Sequence, residues 1–230
     1  MLEVSGLNVR YGKSHAVFDV GLSIHEGEVL ALLGRNGAGK TTTILGILGL
    51  VPGSTGRVVV GGVDVSRRPA HRRARHGVAY VPSGARCFPN LTVGENLAVP
   101  ARRPSADGWT RDRVCELFPR LAELSGTMAG RLSGGERQML AVGRALVSNP
   151  SVLLLDEPTE GLAPVVVQAV AGLILTLRSS GVAVLLAEQN HRMALRVADR
   201  VALMEKGAVV EDLPVDAARE SDALRRVLGL

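Results

Sequence analysis

The sequence predicts an α/β fold: an open, largely parallel sheet flanked by helices, with an antiparallel layer from the first strands and a helical insertion in the middle third. Three observations carry it. Strand-like and helix-like segments alternate along most of the 230 residues. The apolar runs within residues 28–33, 152–155 and 182–187 have strand length, as expected where a parallel strand is covered on both faces. A glycine-rich stretch, Gly34 to Gly39, joins the first of these runs to a helical pattern.

Residues 2–10 and 17–24 read as strands separated by the turn Tyr11-Gly12-Lys13-Ser14. A central strand at 28–33 enters the glycine loop, and residues 40–50 continue as a helix. Residues 56–65 read as a short hairpin around Gly61-Gly62, and 77–81 as another strand. Residues 92–124 are mostly helical in pattern, with a loop near 104–108. A helix opens at Ser133 and runs to about Ser148. Strand, helix, strand and helix then pass through Val152, Gln168, Val184 and Ala194. A hairpin over 201–211 turns at Lys206-Gly207, and one terminal helix ends at Leu230. No internal repeat, low-complexity tract or long linker interrupts this order.

A chain of this length can bury one sizeable core with a subdomain grafted on. Its apolar content of 46% suits a globular protein. No apolar stretch approaches the roughly 20 residues that cross a bilayer, and residues 1–4 lack the regions of a secretory signal. Cys87 and Cys115 make no metal-spaced pair, so reduced thiols in the cytosol are expected. A membrane role must therefore come through a partner. The net charge of +5 owes much to Arg67, Arg68, Arg72, Arg73 and Arg75, beside His71 and His76. That segment reads as a solvated helix face, or as a contact for anionic lipid or an acidic partner. Aromatics are 3%, too few for the stacking platforms of a single-strand binder, so nucleic acid is not an expected partner.

Gly34-Arg35-Asn36-Gly37-Ala38-Gly39-Lys40-Thr41 fits the phosphate-binding pattern G-x-x-x-x-G-K-[ST], with Thr42 next on the helix. The glycines let backbone N–H groups face phosphate oxygens, and the helix N-terminus adds attraction. Lys40 would reach the β- and γ-phosphates of a nucleotide, and the Thr41 hydroxyl would ligate Mg²⁺. Asp156 closes an apolar strand, where it can hold Mg²⁺ or its water. Glu157 follows and would orient or deprotonate the attacking water. Such a loop alone fits a kinase, a GTPase, a helicase or a motor. No Asn-Lys-x-Asp motif is present, which weighs against a GTPase.

The choice narrows at Leu132-Ser133-Gly134-Gly135-Glu136. Ser133 caps a helix, and two glycines leave its N-terminus bare for close approach. Together with the loop and Asp156-Glu157-Pro158-Thr159, this element resembles the signature of ATP-binding cassette (ABC) ATPases, and the resemblance covers nearly the whole chain. It implies a RecA-like P-loop core with an antiparallel β subdomain and a helical insertion. One ATP-binding domain over 1–230 would comprise residues 1–82 and 150–230, with a helical subdomain at about 83–149. It also implies that Ser133, Gly134, Gly135 and Glu136 face the P-loop of a second cassette subunit, identical or not. ATP and Mg²⁺ would lie between the two, and a monomer would be nearly inactive. In the family an aromatic at the place of Tyr11 stacks on adenine; a turn or core role is the alternative.

More particular segments, residues 88–97, 160–164 and 187–190 with the Leu228-Gly229-Leu230 ending, look like the ATP-binding subunits of branched-chain amino acid importers. Urea and short-amide importers share much of this wording. The partners implied are transmembrane permease subunits at the cytoplasmic face of the membrane and, indirectly, a solute-binding protein. The permease would dock on residues 83–124. Gln189 stands where many cassettes have a switch histidine; it can hydrogen-bond a γ-phosphate oxygen but cannot titrate. His191 reads as a helix-surface residue. Ser83 stands where the family has Gln or Glu, too short for direct metal contact and reaching Mg²⁺ only through water. A soluble cassette ATPase acting on ribosomes or DNA usually has two cassettes or a long inserted coiled coil. Here roughly ninety residues separate Lys40 from Ser133. A small-molecule kinase would leave the signature unexplained.

Overall fold

In the computed structural model, which describes residues 1–99 and 108–229, two sheets share an apolar layer and helices cover the outer face of the larger one. Strands β1 (Leu2–Tyr11) and β2 (Ser14–Ile24) pair antiparallel around Gly12-Lys13. Strand β3 (Val29–Leu33) then enters the glycine loop and helix α1 (Lys40–Leu48). The helix stops two residues short of the expected end because Gly49 turns left-handed at φ 68° and returns its N–H to the last carbonyls. Strands β4 (Thr55–Val60) and β5 (Val63–Asp64) complete the antiparallel sheet in the order β2-β1-β4-β5.

Helix α2 (Ala70–Arg75) carries the arginine-rich segment and leads into β6 (Val78–Val81). Four of the five arginines are exposed, but Arg73 is not. It is 6% exposed, and its guanidinium donates to the carbonyls of Ser66 at 2.6 Å, Arg68 at 2.9 Å and Ile47 at 2.5 Å. The expectation of a solvated face thus fails at this position, where the cation caps the C-terminal carbonyls of α1 and ties two elements together.

The middle third is helical, as expected. Helix α3 (Val93–Ala98) opens on a reciprocal cap between Thr92 and Glu95; α4 (Arg111–Leu117), α5 (Pro119–Glu123), a 3-10 turn at Ala129–Arg131 and α6 (Gly134–Val147) follow. The loop expected near 104–108 lies outside the described residues, Gly108 apart.

Strand β7 (Val152–Asp156), helix α7 (Pro164–Ser179), strand β8 (Ala183–Glu188), helix α8 (His191–Val197), β9 (Arg200–Glu205) and β10 (Ala208–Pro214) finish the larger sheet, ordered β10-β9-β3-β8-β7-β6. All its neighbours are parallel except β9 and β10. Alternation explains the apolar runs: Val29, Ala31 and Leu33 face the helices, while Leu30 and Leu32 face the first sheet. Leu153 and Leu155 against Val152 and Leu154 repeat this on β7. The expected single terminal helix is two, α9 (Val215–Glu220) and α10 (Asp222–Leu228). Ser221 is extended at ψ 128°, and its hydroxyl accepts from Ala223 N, so it caps a new helix instead of continuing the old one. Among the described residues no helix is long and apolar enough to cross a membrane.

Candidate active site

The loop from Gly34 to Gly39 leaves β3 at the C-terminal edge of the larger sheet, where ligands of open α/β sheets bind. Two of its glycines have identifiable causes. A Cβ on Gly34 would stand 2.4 Å from the carbonyl oxygen of Met204, and Gly39 has φ +111°, which an L side chain rarely adopts. The turn between β9 and β10 braces the loop from outside: Gly207 N donates to Ala38 O and Phe18 N donates to Gly207 O, both at 2.8 Å.

A cavity of about 500 Å³ lies over this loop, within the range of small-molecule sites. Asn36, Gly37, Ala38, Gly39, Lys40, Thr41 and Thr42 line it, with Glu157 opposite. Gly34 and Arg35 border a second cavity, of about 320 Å³, together with Gln189, His191 and Leu228. His191 is therefore half-buried at the start of α8 and faces the phosphate loop, not the open helix surface.

Lys40 is 4% exposed and folds back to donate to Gly34 O at 2.9 Å and Arg35 O at 3.3 Å. Its ammonium also lies 3.2 Å from Glu157 Oε1. The other oxygen of Glu157 accepts from Gln189 Nε2 at 2.9 Å. The Thr41 hydroxyl donates to Asp156 Oδ1 at 3.0 Å. Lys40, Thr41, Asp156, Glu157 and Gln189 thus meet in one place from three elements. Pairing of Asp156 with Ala187 in the β7–β8 register brings the last two together, and Glu157 N donates to Ala187 O at 2.8 Å. Glu157 has φ 48°, a left-handed conformation costing a non-glycine residue about 1–3 kcal/mol, of the kind that clusters at functional sites.

Tyr80 is a participant that local sequence reading missed. On β6 beside β7, it donates its phenol to Asp156 Oδ2 at 3.2 Å. Burial, then the neighbouring carboxylate, raises the phenol above its ordinary range, so it stays a donor. Asp156 is fully buried, and burial pushes its carboxyl upward against the two hydroxyls that favour the charged form. Ser83 is half-buried in the turn after β6 and makes no side-chain hydrogen bond among the described residues.

Tyr11, at the end of β1, is 48% exposed and is not among the residues lining the main cavity. The rings there are His15 and Phe18 on β2, with centroids 4.0 Å apart. The signature residues lie elsewhere. Ser133 accepts from Glu136 N at 3.3 Å, and Glu136 Oε2 accepts from Ser133 N at 2.9 Å, a reciprocal cap that holds the Glu136 carboxyl below its usual range. A Cβ on Gly135 would meet Val166 at 2.9 Å, so α6 begins in close contact with α7.

The chain matches the ABC transporter family over residues 17–160. It is 43% identical over 212 residues to the high-affinity branched-chain amino acid transport ATP-binding protein BraG of Pseudomonas aeruginosa, covering 91% of each chain. It is 37% identical over 233 residues to the lipopolysaccharide export system ATP-binding protein LptB of Escherichia coli K12, covering 99% of this chain and 97% of the other. Among solved structures, an ATP-binding subunit of an ABC transporter superposes with a TM-score of 0.85 at 28% identity, over 98% of this chain and 94% of that one. The cassette MJ0796, solved as a dimer in a post-hydrolysis state with ADP and phosphate, superposes at 0.78 and 23% identity, over 94% and 99%. With its loop, signature and paired carboxylates in the cassette order, the chain belongs to the ABC transporter family as an ATP-hydrolysing, ATP-binding subunit.

Proposed function

We propose that two such subunits clamp MgATP head to tail and that its hydrolysis drives branched-chain amino acid uptake through permease subunits in the membrane. The observation that carries the chemistry is the convergence of Lys40, Glu157 and Gln189 beside the phosphate loop. Residues 34–42 bind the phosphates with backbone N–H groups, and Lys40 neutralises the β- and γ-oxygens. Glu157 is placed by its backbone bond to Ala187 and by Gln189 to receive a proton from the attacking water.

Mg²⁺ suits the donors beside the loop. Thr41 and Asp156 offer two hard oxygens 3.0 Å apart, and this ion takes one or two carboxylates with phosphates and waters instead of an all-protein cage. Bound with the nucleotide, it would offset phosphate charge. Tyr80 orients Asp156, and Ser83 would reach the ion only through water. Ser133 to Glu136, capped and held against α7, would present the bare N-terminus of α6 to the nucleotide of the facing subunit. The dimer solved for MJ0796 supports that assembly. Stacking on adenine falls to Phe18 and His15 instead of Tyr11, because they line the cavity.

A groove of about 570 Å³ between the core and the helical insertion offers a docking place for the permease. Ala74, Val78, Phe88, Arg86 and Arg144 are among the residues lining it. Phe88 is 44% exposed with the Arg144 guanidinium 4.4 Å over its ring. Membrane attachment would come through this contact.

The BraG likeness and the segments at 88–97, 160–164 and 187–190 support branched-chain amino acids as cargo. The LptB likeness, over more of the chain at lower identity, supports lipopolysaccharide export as the second reading. Proteins co-purifying with this chain from detergent-solubilised membranes, reconstituted in vesicles with ATP, distinguish them. ATP-dependent leucine uptake is expected. ATPase stimulated by lipopolysaccharide or uptake of urea, without leucine uptake, would overturn the cargo.

A further inference from the structure

Glu188 ends β8, and its side chain is 2% exposed. Its carboxylate accepts four hydrogen bonds. One oxygen takes the Thr159 hydroxyl at 2.6 Å and Thr159 N at 3.1 Å; the other takes Gln189 N and Asn190 N, both at 3.1 Å. Neither Glu188 nor Thr159 is among the residues lining the nucleotide cavity. A buried carboxylate is expensive for stability alone, since well-packed apolar residues often serve as well. A charge satisfied this completely suits a positional task.

The two oxygens hold two different segments. One fixes the peptide that carries Gln189, whose amide reaches Glu157. The other fixes Thr159 in a tight turn, where Glu160 N donates to Glu157 O and Leu162 N donates to Thr159 O, each at 3.2 Å. Beyond the turn, Leu162 and Val166 meet the signature glycines. A Cβ on Gly134 would lie 3.8 Å from Leu162, and one on Gly135 would lie 2.9 Å from Val166. A continuous set of contacts therefore runs from Lys40 through Glu157, Gln189, Glu188 and Thr159 to the N-terminus of α6.

We propose that Glu188 is a positioning residue that clasps the Gln189 segment to the Thr159 turn, so that the hydrolytic carboxylate and the signature helix of one chain move together. The proposal rests on the clamp reading above. Under it, Glu188 couples the site that this chain binds to the surface that it offers its partner. Its effect falls on the closed, hydrolysing arrangement and not on nucleotide capture, which the loop around Lys40 performs.

The test measures steady-state ATPase of the co-purified complex for the wild type and for Glu188→Gln, Thr159→Val, the double variant and Glu188→Asp. In Glu188→Gln the amide NH₂ must face backbone N–H donors on one side, so one arm opens. We expect kcat to fall about tenfold or more, with KM for MgATP within about threefold, as for an interaction made in the transition state. Thr159→Val should act in the same direction, the double variant should be no slower than the worse single, and Glu188→Asp should recover part of kcat. An unchanged kcat in folded Glu188→Gln, or losses that multiply in the double variant, would overturn the clasp. If Glu188→Gln fails to fold, Thr159→Val carries the same comparison, because the carboxylate keeps its other donors. Wild-type complex without ATPase would instead overturn the functional reading on which the clasp rests.

Discussion

Glu157 occupies a left-handed backbone position and is held by Lys40 on one oxygen and Gln189 on the other. If it is the general base, Glu157→Gln keeps the shape and loses the proton acceptor. Turnover should fall about 10²–10⁴-fold, while ATP affinity, read by equilibrium nucleotide binding, stays within a fewfold. Ser83 poses the opposite case, a short hydroxyl with no side-chain hydrogen bond among the described residues, at a place where the resemblance implies a longer side chain. Ser83→Glu and Ser83→Gln should raise ATPase rate or its coupling to transport, and no change in either would count against water-bridged contact there. Glu188 supplies the pH signature. Burial raises its carboxyl in the folded chain, so the stabilisation from protonation is complete below the unfolded value, about 4.3. It is lost as pH rises through the raised folded value. Denaturant titration should therefore show Glu188→Gln gaining on the wild type across that window. A constant difference between the two would contradict the assignment.

At the scale of elements, what was legible in the sequence was what is local. The phosphate loop, the cap at Ser133 and the Asp156-Glu157 pair each lie within one turn or strand end, so spacing alone placed them. Partners set by register were not legible. Tyr80 reaches Asp156 because β6 lies parallel to β7, and Glu188 reaches Thr159 because β8 lies beside β7. Nothing near Tyr80 or Glu188 in the chain announces this. The cavity aromatics were not legible for a similar reason: Tyr11 ends β1 largely exposed and outside the main cavity's lining, while the β9–β10 turn bonds to Phe18 of β2, which lines it. Arg73 was hidden inside a charge run, yet it joins the end of α1 to residues 66–68 through carbonyls of both segments. Arg73→Ala leaves those carbonyls unpaired and should cost about 3 kcal/mol, seen as a lower denaturation midpoint. The neighbouring Arg72→Ala, on the exposed side, should change it by less than about 0.5 kcal/mol.

For the molecule as a whole, the phosphate loop, the Thr41–Asp156 pair and Glu157 meet within one chain, while none of Ser133 to Glu136 lines that cavity. The capped, glycine-lined start of α6 lies outside that cavity, and under the proposed clamp it would meet the nucleotide of the facing subunit. A signature lesson follows for Ser133→Arg, which places bulk and charge at the proposed interface. It should abolish ATPase of the complex with little loss of nucleotide binding, read on the same preparation. The most direct test of the clamp is the sedimentation mass of the Glu157→Gln chain, alone and with any second cassette that co-purifies with it, with and without saturating MgATP. A mass that doubles only with MgATP, and fails to double when Ser133→Arg is added, is the predicted result. A mass of one chain under every condition would contradict it.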